Sequence, residues 1–252
     1  MTAARPERHH KVKSFLVGAL IAAGCGGLGG CGVSRLQTAR TVRVGETRVT
    51  LAGSYVHNAL VGQRGASPTN FPFDLMIRHG ATPHLDWGVR TFFGLGLLGD
   101  VKWNVLPPDY RTALAVSAGL AFAADPINDV DRGQSRLAKI AHLPLSVTVS
   151  RAVVPWFTPY VALGYGNYWI FNYAPRPIEP ATTLLPAARS GSGDGVASLH
   201  IGVELSRASG RALLLEYGYS RPWGLHDLGD GYSFSPNHLF SIGFHTAGGG
   251  QR

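Results

Sequence analysis

The sequence predicts an all-β fold, an antiparallel up-and-down transmembrane β-barrel of about ten strands within a range of roughly eight to twelve. From Thr47 to the C-terminus, apolar and polar residues alternate, which places successive side chains on opposite faces of a sheet. The connectors between these segments are mostly long at one end and short at the other, as in barrels with short periplasmic turns and long outer loops. Charged residues make up 15% of the 252 residues, against about 25% in a typical soluble domain. This composition suits thin strands that have one face in lipid.

Residues 1–30 have the pattern of a signal peptide for export. A polar, basic stretch precedes the apolar run Phe15–Ala23, which is too short to span a bilayer comfortably. The chain contains 2 cysteines, Cys25 and Cys31, and both follow this run. A disulfide between them would close a short glycine-rich loop and would stabilise nothing.

The segment Leu28–Cys31 resembles the lipobox of bacterial lipoproteins, with small residues between the leucine and the cysteine. The resemblance implies cleavage before Cys31 and acylation of its thiol, and several acyl chains on one residue would anchor the chain stably. Gly32 follows, rather than the aspartate associated with retention in the inner membrane, so the resemblance points to the outer membrane. Ala22–Cys25 is an alternative lipobox, and a plain secretory signal with incidental cysteines is a further alternative.

The domain boundaries follow from changes in composition. We predict a polar periplasmic tether over residues 31–46, the transmembrane barrel over 47–246 and a C-terminal tail over 247–252, with no linker and no second domain. The predicted strands are 47–56, 72–80, 85–93, 99–106, 112–123, 140–150, 159–171, 195–206, 211–220 and 238–246.

Each of the first five predicted strands has one apolar face, and the opposite face carries small or ionisable residues. The apolar faces carry Val49, Leu51, Tyr55, Phe73, Leu75, Ile77, Leu85, Trp87, Val89, Val101, Trp103, Leu114, Val116, Leu120 and Phe122. Proline lies in the turn 81–84 and, as Pro107 and Pro108, at the end of the fourth strand, where turns favour it.

The last five predicted strands continue this alternation, although the seventh is aromatic and alternates less cleanly. Their apolar faces carry Leu143, Leu145, Val147, Val149, Leu199, Ile201, Val203, Leu205, Leu213, Leu215, Tyr217, Tyr219, Phe240, Ile242 and Phe244. Turn-forming residues predict loops over 124–139 and 172–194, and the second of these is the longest connector and contains several prolines.

Alternation alone fits a soluble β-protein as well as a membrane barrel, so other features have to decide between them. Aromatic residues cluster near the predicted strand ends, as in the aromatic girdles of membrane barrels. They are Trp156, Phe157 and Tyr160 at the predicted periplasmic end and Trp169, Phe171, Tyr173, Tyr219 and Trp223 at the outer end. In hydrocarbon an unpaired backbone group is costly, so such a sheet has to close on itself.

Over about residues 47–246 the chain resembles the small meander barrels of Gram-negative outer membranes, the superfamily that includes OmpA-like and OmpW-like proteins. The segment His238–Phe244 is similar to the terminal strand signature recognised by the barrel-assembly machinery, although further residues follow it here. The resemblance implies an outer-membrane location with a periplasmic N-terminus and extracellular long loops. It also implies outer-membrane lipid, lipopolysaccharide, and the barrel-assembly and lipoprotein-sorting machineries as partners.

The polar faces predict charged side chains of both signs inside the barrel. These are Arg48, Asp74, Arg78, Asp86, Arg90, Lys102, Glu204 and Glu216. Buried charges have to be paired, which fits a plugged lumen that is cross-linked by ion pairs. A small pore or a ligand pocket lined by the same residues is the alternative.

The sequence gives weak grounds for catalysis, and we predict no enzyme, no catalytic residues, no metal site and no cofactor. An outer-membrane lipid-modifying hydrolase or acyltransferase is an alternative, for which the candidate pairs are His142 with Ser146 and His226 with Ser235, beside Asp227. No G-x-S-x-G occurs, and the 10 histidines lack a clustered metal-ligand spacing. A third alternative is a periplasmic β-sandwich or lipocalin-like binding lipoprotein.

The net charge of +8 is spread over scattered arginines, so we predict no nucleic-acid partner. A structural, passive-transport or surface-interaction role at the outer membrane is the predicted function, and the pattern does not indicate an oligomeric state.

Overall fold

A computed structural model describes residues 34–57, 73–92, 96–129, 134–173, 194–207, 210–223 and 237–248. These residues form ten strands. The strands are β1 (Thr47–His57), β2 (Phe73–Gly80), β3 (Leu85–Phe92), β4 (Gly96–Asn104), β5 (Thr112–Asp129), β6 (Gln134–Arg151), β7 (Phe157–Tyr173), β8 (Asp194–Ser206), β9 (Arg211–Trp223) and β10 (Asn237–Gly248). Within the same residues, no helix is long and apolar enough to cross a membrane.

The ten strands close into one antiparallel barrel in which each strand pairs with its sequence neighbours. The first and last strands complete the ring, with Thr47 opposite Gly248 and His57 opposite His238. The sheet therefore has no free edge, which satisfies the backbone hydrogen bonds of every strand. The predicted fold class, an up-and-down barrel of about ten strands, is confirmed.

The two faces of the barrel differ sharply in chemistry. Outward-facing aliphatic and aromatic side chains are exposed, for example Leu145 at 44% and Phe122 at 58%. Inward-facing polar side chains are buried, for example Asp86 at 0% and Lys102 at 2%. The strand period of two places every second residue on one face, so the predicted alternation and the observed burial follow the same register.

Several strand boundaries differ from the prediction. β4 begins at Gly96 rather than at residue 99, and β5 and β6 continue into the predicted loop 124–139, as far as Asp129 opposite Gln134. The turn-forming residues Asp125, Pro126 and Asn128 indicated a loop there. Hairpin pairing overrides that local preference because it satisfies the backbone groups of both strands.

The two ends of the barrel are built differently. At the end where β1 begins and β10 finishes, the connectors are the turns 81–84, 105–111, 152–156 and 207–210. We call this the short-turn end. At the opposite end, which we call the loop end, the connectors are 58–72, 93–95, 130–133, 174–193 and 224–236, and these lie outside the described residues.

Residues 34–46 do not form the tether that the sequence predicted. Ser34–Val42, which we call the lumen segment, lies inside the barrel, and Ser34, Leu36, Thr38, Ala39 and Val42 are all buried. A polar composition suits solvent and a polar lumen equally well, so composition alone could not distinguish the two. The predicted signal peptide, with Cys25 and Cys31, lies outside the described residues, as do residues 249–252 of the predicted tail.

Candidate functional site in the barrel lumen

Arg78 of β2 is the centre of an ion network near the short-turn end. Its guanidinium donates to Asp86 Oδ1 from Nε at 2.9 Å and from Nη2 at 2.5 Å. Nη1 donates to both carboxylate oxygens of Asp100 at 2.9 Å. Lys102 Nζ adds an ion pair with Asp86 Oδ2 at 3.3 Å. The charges therefore neutralise one another within the wall, as burial requires.

A second ion pair lies further from the short-turn end. Arg90 of β3 donates to Asp74 of β2 and to both the backbone carbonyl and the hydroxyl of Ser34. Ser34 Oγ in turn donates to Asp74 Oδ2 at 3.3 Å. The first residue of the lumen segment is thus held by a charged pair of the wall.

Glu216 of β9 binds the backbone of the lumen segment. Its Oε1 accepts from Arg35 N at 2.6 Å, and its Oε2 accepts from Leu36 N at 2.7 Å. Leu36 has a φ of 39°, the one positive φ among the described residues other than glycine. Successive N–H groups converge on an anion when the backbone turns into this left-handed region, which explains why a carboxylate lies here. Tyr160 OH donates to the same Oε2 at 2.9 Å.

The rest of the lumen segment is also held through its backbone. Lys102 Nζ donates to the carbonyls of Thr38 and Arg40 at 3.2 and 2.8 Å. Ala39 N donates to Ser150 Oγ at 3.1 Å. Val42 N donates to Asp86 Oδ2 at 2.9 Å. Charged and hydroxyl side chains of the wall therefore bind backbone groups that a buried chain could not otherwise satisfy.

Small wall residues make room for the lumen segment. A Cβ on Gly80 would lie 2.1 Å from the carbonyl oxygen of Arg43, and a Cβ on Gly164 would lie 2.6 Å from Arg35 Nη2. A Cβ on Gly243 would lie 3.2 Å from Leu36 Cδ1. Further small residues, Ala52, Ala113 and Ala115, pack against the buried Leu36 and Ala39. An eight-stranded barrel is filled by its own side chains, whereas ten strands with small inward residues leave space for an extended chain.

The contacts show which way the lumen segment runs. Val42 is bound at Asp86, the second residue of β3 from the short-turn end. Leu36 is bound at Glu216, well inside β9, and Ser34 contacts Asp74, the residue next to the loop end of β2. The segment therefore enters the lumen near the loop end at Ser34 and runs down to the short-turn end, where it joins β1 at Thr47.

The residues predicted to line the lumen are distributed between these clusters and the space beside them. Six of them, Asp74, Arg78, Asp86, Arg90, Lys102 and Glu216, are buried. Glu204 accepts from Ser206 Oγ at 2.7 Å, and its other oxygen has no hydrogen-bond partner. Arg48 is half-buried, and its Nε has no hydrogen-bond partner.

Sequence reasoning missed several residues of this site. Asp100 faces inward two residues before Lys102, so the alternation of β4 contained the signal for it. His200, whose Nδ1 lies 3.1 Å from Glu216 Oε1, is buried on β8, so the alternation of that strand contained the signal for it as well. The lumen segment itself carried no sequence signal, because no strand or motif identifies a polar stretch that packs inside a barrel.

Of the candidate catalytic residues, His142 and Ser146 lie in the part of the chain that the structure describes. Ser146 faces the lumen and accepts from Arg35 Nη1 at 3.1 Å, and His142 is buried on the same face of β6. His226, Asp227 and Ser235 lie outside the described residues. Among the residues that the structure does describe, no group of three or more His, Cys, Asp or Glu could hold a metal ion.

No protein-family model matches the chain, and no curated protein matches it in sequence. Its structure is similar to an outer membrane channel from Pseudomonas putida F1, with 10% identity, a TM-score of 0.42, and 86% of this chain and 100% of that chain covered. The outer membrane protease OmpT from Escherichia coli gives 10% identity, a TM-score of 0.40, and coverages of 83% and 98%. Neisserial surface protein A gives 9% identity, a TM-score of 0.36, and coverages of 80% and 95%. Similarity at this level says nothing about the activity of this chain.

Proposed function

We propose that the chain is an outer-membrane β-barrel whose lumen is closed by its own N-terminal segment, and that its role is structural or in surface interaction through the loop end. The observation that carries this proposal is the orientation of the side chains. Aliphatic residues such as Leu145 and Ile201 are exposed on the outside, while the ionic residues are buried around the axis. A soluble barrel would have the reverse arrangement.

The exposed apolar surface supports a lipid surrounding. Contiguous apolar patches of more than a few hundred Å² are rare on soluble monomers. Here exposed aliphatic and aromatic side chains occur on nearly every strand. Four exposed aromatics, Trp87, Trp103, Tyr110 and Trp156, lie at or near the short-turn end. Such a belt is typical of a membrane–water interface.

The short-turn end is assigned to the periplasm, because membrane barrels have short periplasmic turns. The loop end then faces outward, where outer-membrane lipid and lipopolysaccharide are the proposed partners. Passive transport would require the lumen segment to leave, so the closed lumen favours the structural or surface role over an open pore. The barrel-assembly and lipoprotein-sorting machineries remain the partners proposed for its biogenesis.

Membrane association tests the proposal directly. We expect the full chain to resist carbonate extraction and to migrate differently on detergent gels before and after heating, because a closed barrel stays folded in detergent until heated. Release by carbonate, together with a single gel mobility, would instead support the periplasmic lipocalin-like alternative.

The lipid anchor requires a separate measurement. We propose acylation of Cys31, with Cys25 as the alternative, and mass spectrometry of the mature N-terminus distinguishes them. Cys31→Ser should abolish the acylated mass and Cys25→Ser should leave it unchanged. An unacylated N-terminus in the native chain would show a plain secretory signal.

A further inference from the structure

We infer that the lumen wall is a binding site for an extended peptide, and that Ser34–Val42 occupies it as a releasable plug rather than as a permanent part of the barrel. This inference rests on the proposed function, since it concerns the passage through a membrane-inserted barrel. It adds a ligand class and a mode of regulation to that function.

The wall recognises the backbone more than the side chains of the plug. Glu216 accepts from two successive N–H groups, Lys102 donates to two carbonyls, and Asp86 accepts from Val42 N. Contacts of this kind are available to any chain that follows the same path and takes the left-handed turn at the position of Leu36. The side-chain contribution comes from Leu36, buried against Ala52 and Leu214, and from Ala39, buried against Ala113 and Ala115. The site therefore selects an extended peptide with a large aliphatic residue followed three positions later by a small one.

Each charged wall residue keeps a partner when the plug leaves. Asp86 retains Arg78 and Lys102, and Asp74 retains Arg90. Glu216 retains Tyr160 and His200. The usual cost of exposing a buried network, an isolated charge in a low-dielectric site, therefore does not arise on release.

The barrel does not depend on the plug for its sheet. All ten strands pair with one another in a closed ring, and the lumen segment contributes no strand to it. The plug is joined to the sheet near its exit by the isolated bridge between Val44 and Gly80. Leu36 also holds a left-handed backbone, which is unfavourable for a leucine and is relieved when the segment leaves. Release therefore opens the lumen without breaking the barrel.

Conductance across a planar bilayer tests this inference with the full chain and a plug-side variant. Leu36→Pro removes the N–H that donates to Glu216 and forbids a positive φ, while leaving every wall residue unchanged. We expect the native protein to be closed for most of the recording and the variant to open at least about tenfold more often. Arg35→Ala should act in the same direction, because Arg35 lies in the lumen and donates to Ser146. Arg43→Ala is its matched control, since the Arg43 side chain is 87% exposed.

A synthetic peptide with the sequence of residues 34–46, added to both chambers, should close the Leu36→Pro channel again. The same peptide carrying Leu36→Pro should not. Closure by the native peptide alone would establish a site that recognises an extended chain, whereas closure by both or by neither would refute it.

The experiments distinguish an error in the plug hypothesis from an error in the proposed function. A barrel that inserts, shows heat-modifiable migration and stays closed with Leu36→Pro would overturn the plug and leave the proposed function standing. A native protein that conducts as freely as the variant would also overturn the plug. A protein that does not insert would overturn both.

Discussion

Arg78 shows how single side chains hold the lumen together. Its guanidinium lies between Asp86 and Asp100 and engages both carboxylates. The planar fork of arginine can bind two carboxylates at once, which the point charge of a lysine cannot do with the same geometry. Arg48 lies directly opposite Arg78 on β1, so the two acidic residues also offset the repulsion between these cations.

Replacing Arg78 should destabilise the barrel. Arg78→Met leaves Asp100 without its hydrogen-bond partner and leaves Lys102 as the one remaining ion-pair partner of Asp86 among the described residues. Breaking a buried pair by removing one partner costs about 3–5 kcal/mol in the free energy of unfolding. Tryptophan fluorescence during urea unfolding in lipid vesicles measures this loss. Arg43→Met is the control and should change the free energy of unfolding by less than about 1 kcal/mol, since its ion pair is exposed. Equal effects of the two changes would contradict the network.

Gly243 makes room for Leu36, so a larger side chain at position 243 of the barrel wall should displace the plug. In Gly243→Leu the new side chain takes the space of Leu36 Cδ1, which lies 3.2 Å from the position of a Cβ. We expect the amides of Arg35 and Leu36 to exchange hydrogen faster, because they lose their bonds to Glu216. Hydrogen exchange followed by mass spectrometry reports on this.

The matched control for that change is Gly99→Leu, on the outer face of the same barrel. Gly99 has nothing within 4 Å of its Cβ position. Its replacement should leave the exchange of the lumen segment unchanged. If both variants, or neither, accelerate exchange at Arg35 and Leu36, Gly243 is not part of the socket for Leu36.

At the scale of elements, the strands were the most predictable part of the chain. In β6 the outward residues Leu143, Leu145 and Val147 alternate with Ser146 and Thr148, and their exposure follows that pattern. A strand has a strict period of two, and one face in lipid against one face in a polar lumen gives a strong contrast at each step. The extension of the β5–β6 hairpin to Asp129 was missed, because its pairing depends on a partner strand rather than on local sequence.

Replacing an outward residue of β6 should distinguish a membrane barrel from a soluble one. Leu145 lies midway along the paired length of the strand and is exposed. In a bilayer, an arginine near the midplane of the outer face costs about 2–4 kcal/mol, falling to about 0–1 kcal/mol near the interface. We therefore expect Leu145→Arg to lower the free energy of unfolding in lipid vesicles by that larger amount.

Val153→Arg is the matched control for Leu145→Arg. Val153 is also exposed, but it lies in the turn between β6 and β7, where an arginine reaches the headgroups. The two variants should differ by about 2 kcal/mol or more. In a water-soluble barrel both sites would face solvent and the two changes would cost the same, which would remove the basis for the membrane placement.

At the scale of the whole molecule, the inside of the barrel was harder to predict than its wall. The ionic residues of the wall could be chosen from the alternation, but their partners on the lumen segment could not. Ser34, Thr38 and Ala39 are small and polar or weakly apolar, which suits a solvated tether as well as a packed lumen. Only the three-dimensional arrangement of Glu216, Lys102 and Asp86 shows that the backbone of this segment is bound.

The path of the lumen segment predicts where the mature N-terminus lies. The sequence indicated a periplasmic N-terminus, but the chain rises from the short-turn end and approaches the loop end at Ser34, beside Asp74. An epitope inserted after Gly32 should therefore bind its antibody on intact cells. The same epitope placed after Arg252 should bind only after permeabilisation, because β10 finishes at the short-turn end, opposite Thr47. An epitope after Gly32 that is reached only in permeabilised cells would show that the chain does not thread the barrel in the membrane, and it would leave the lumen open.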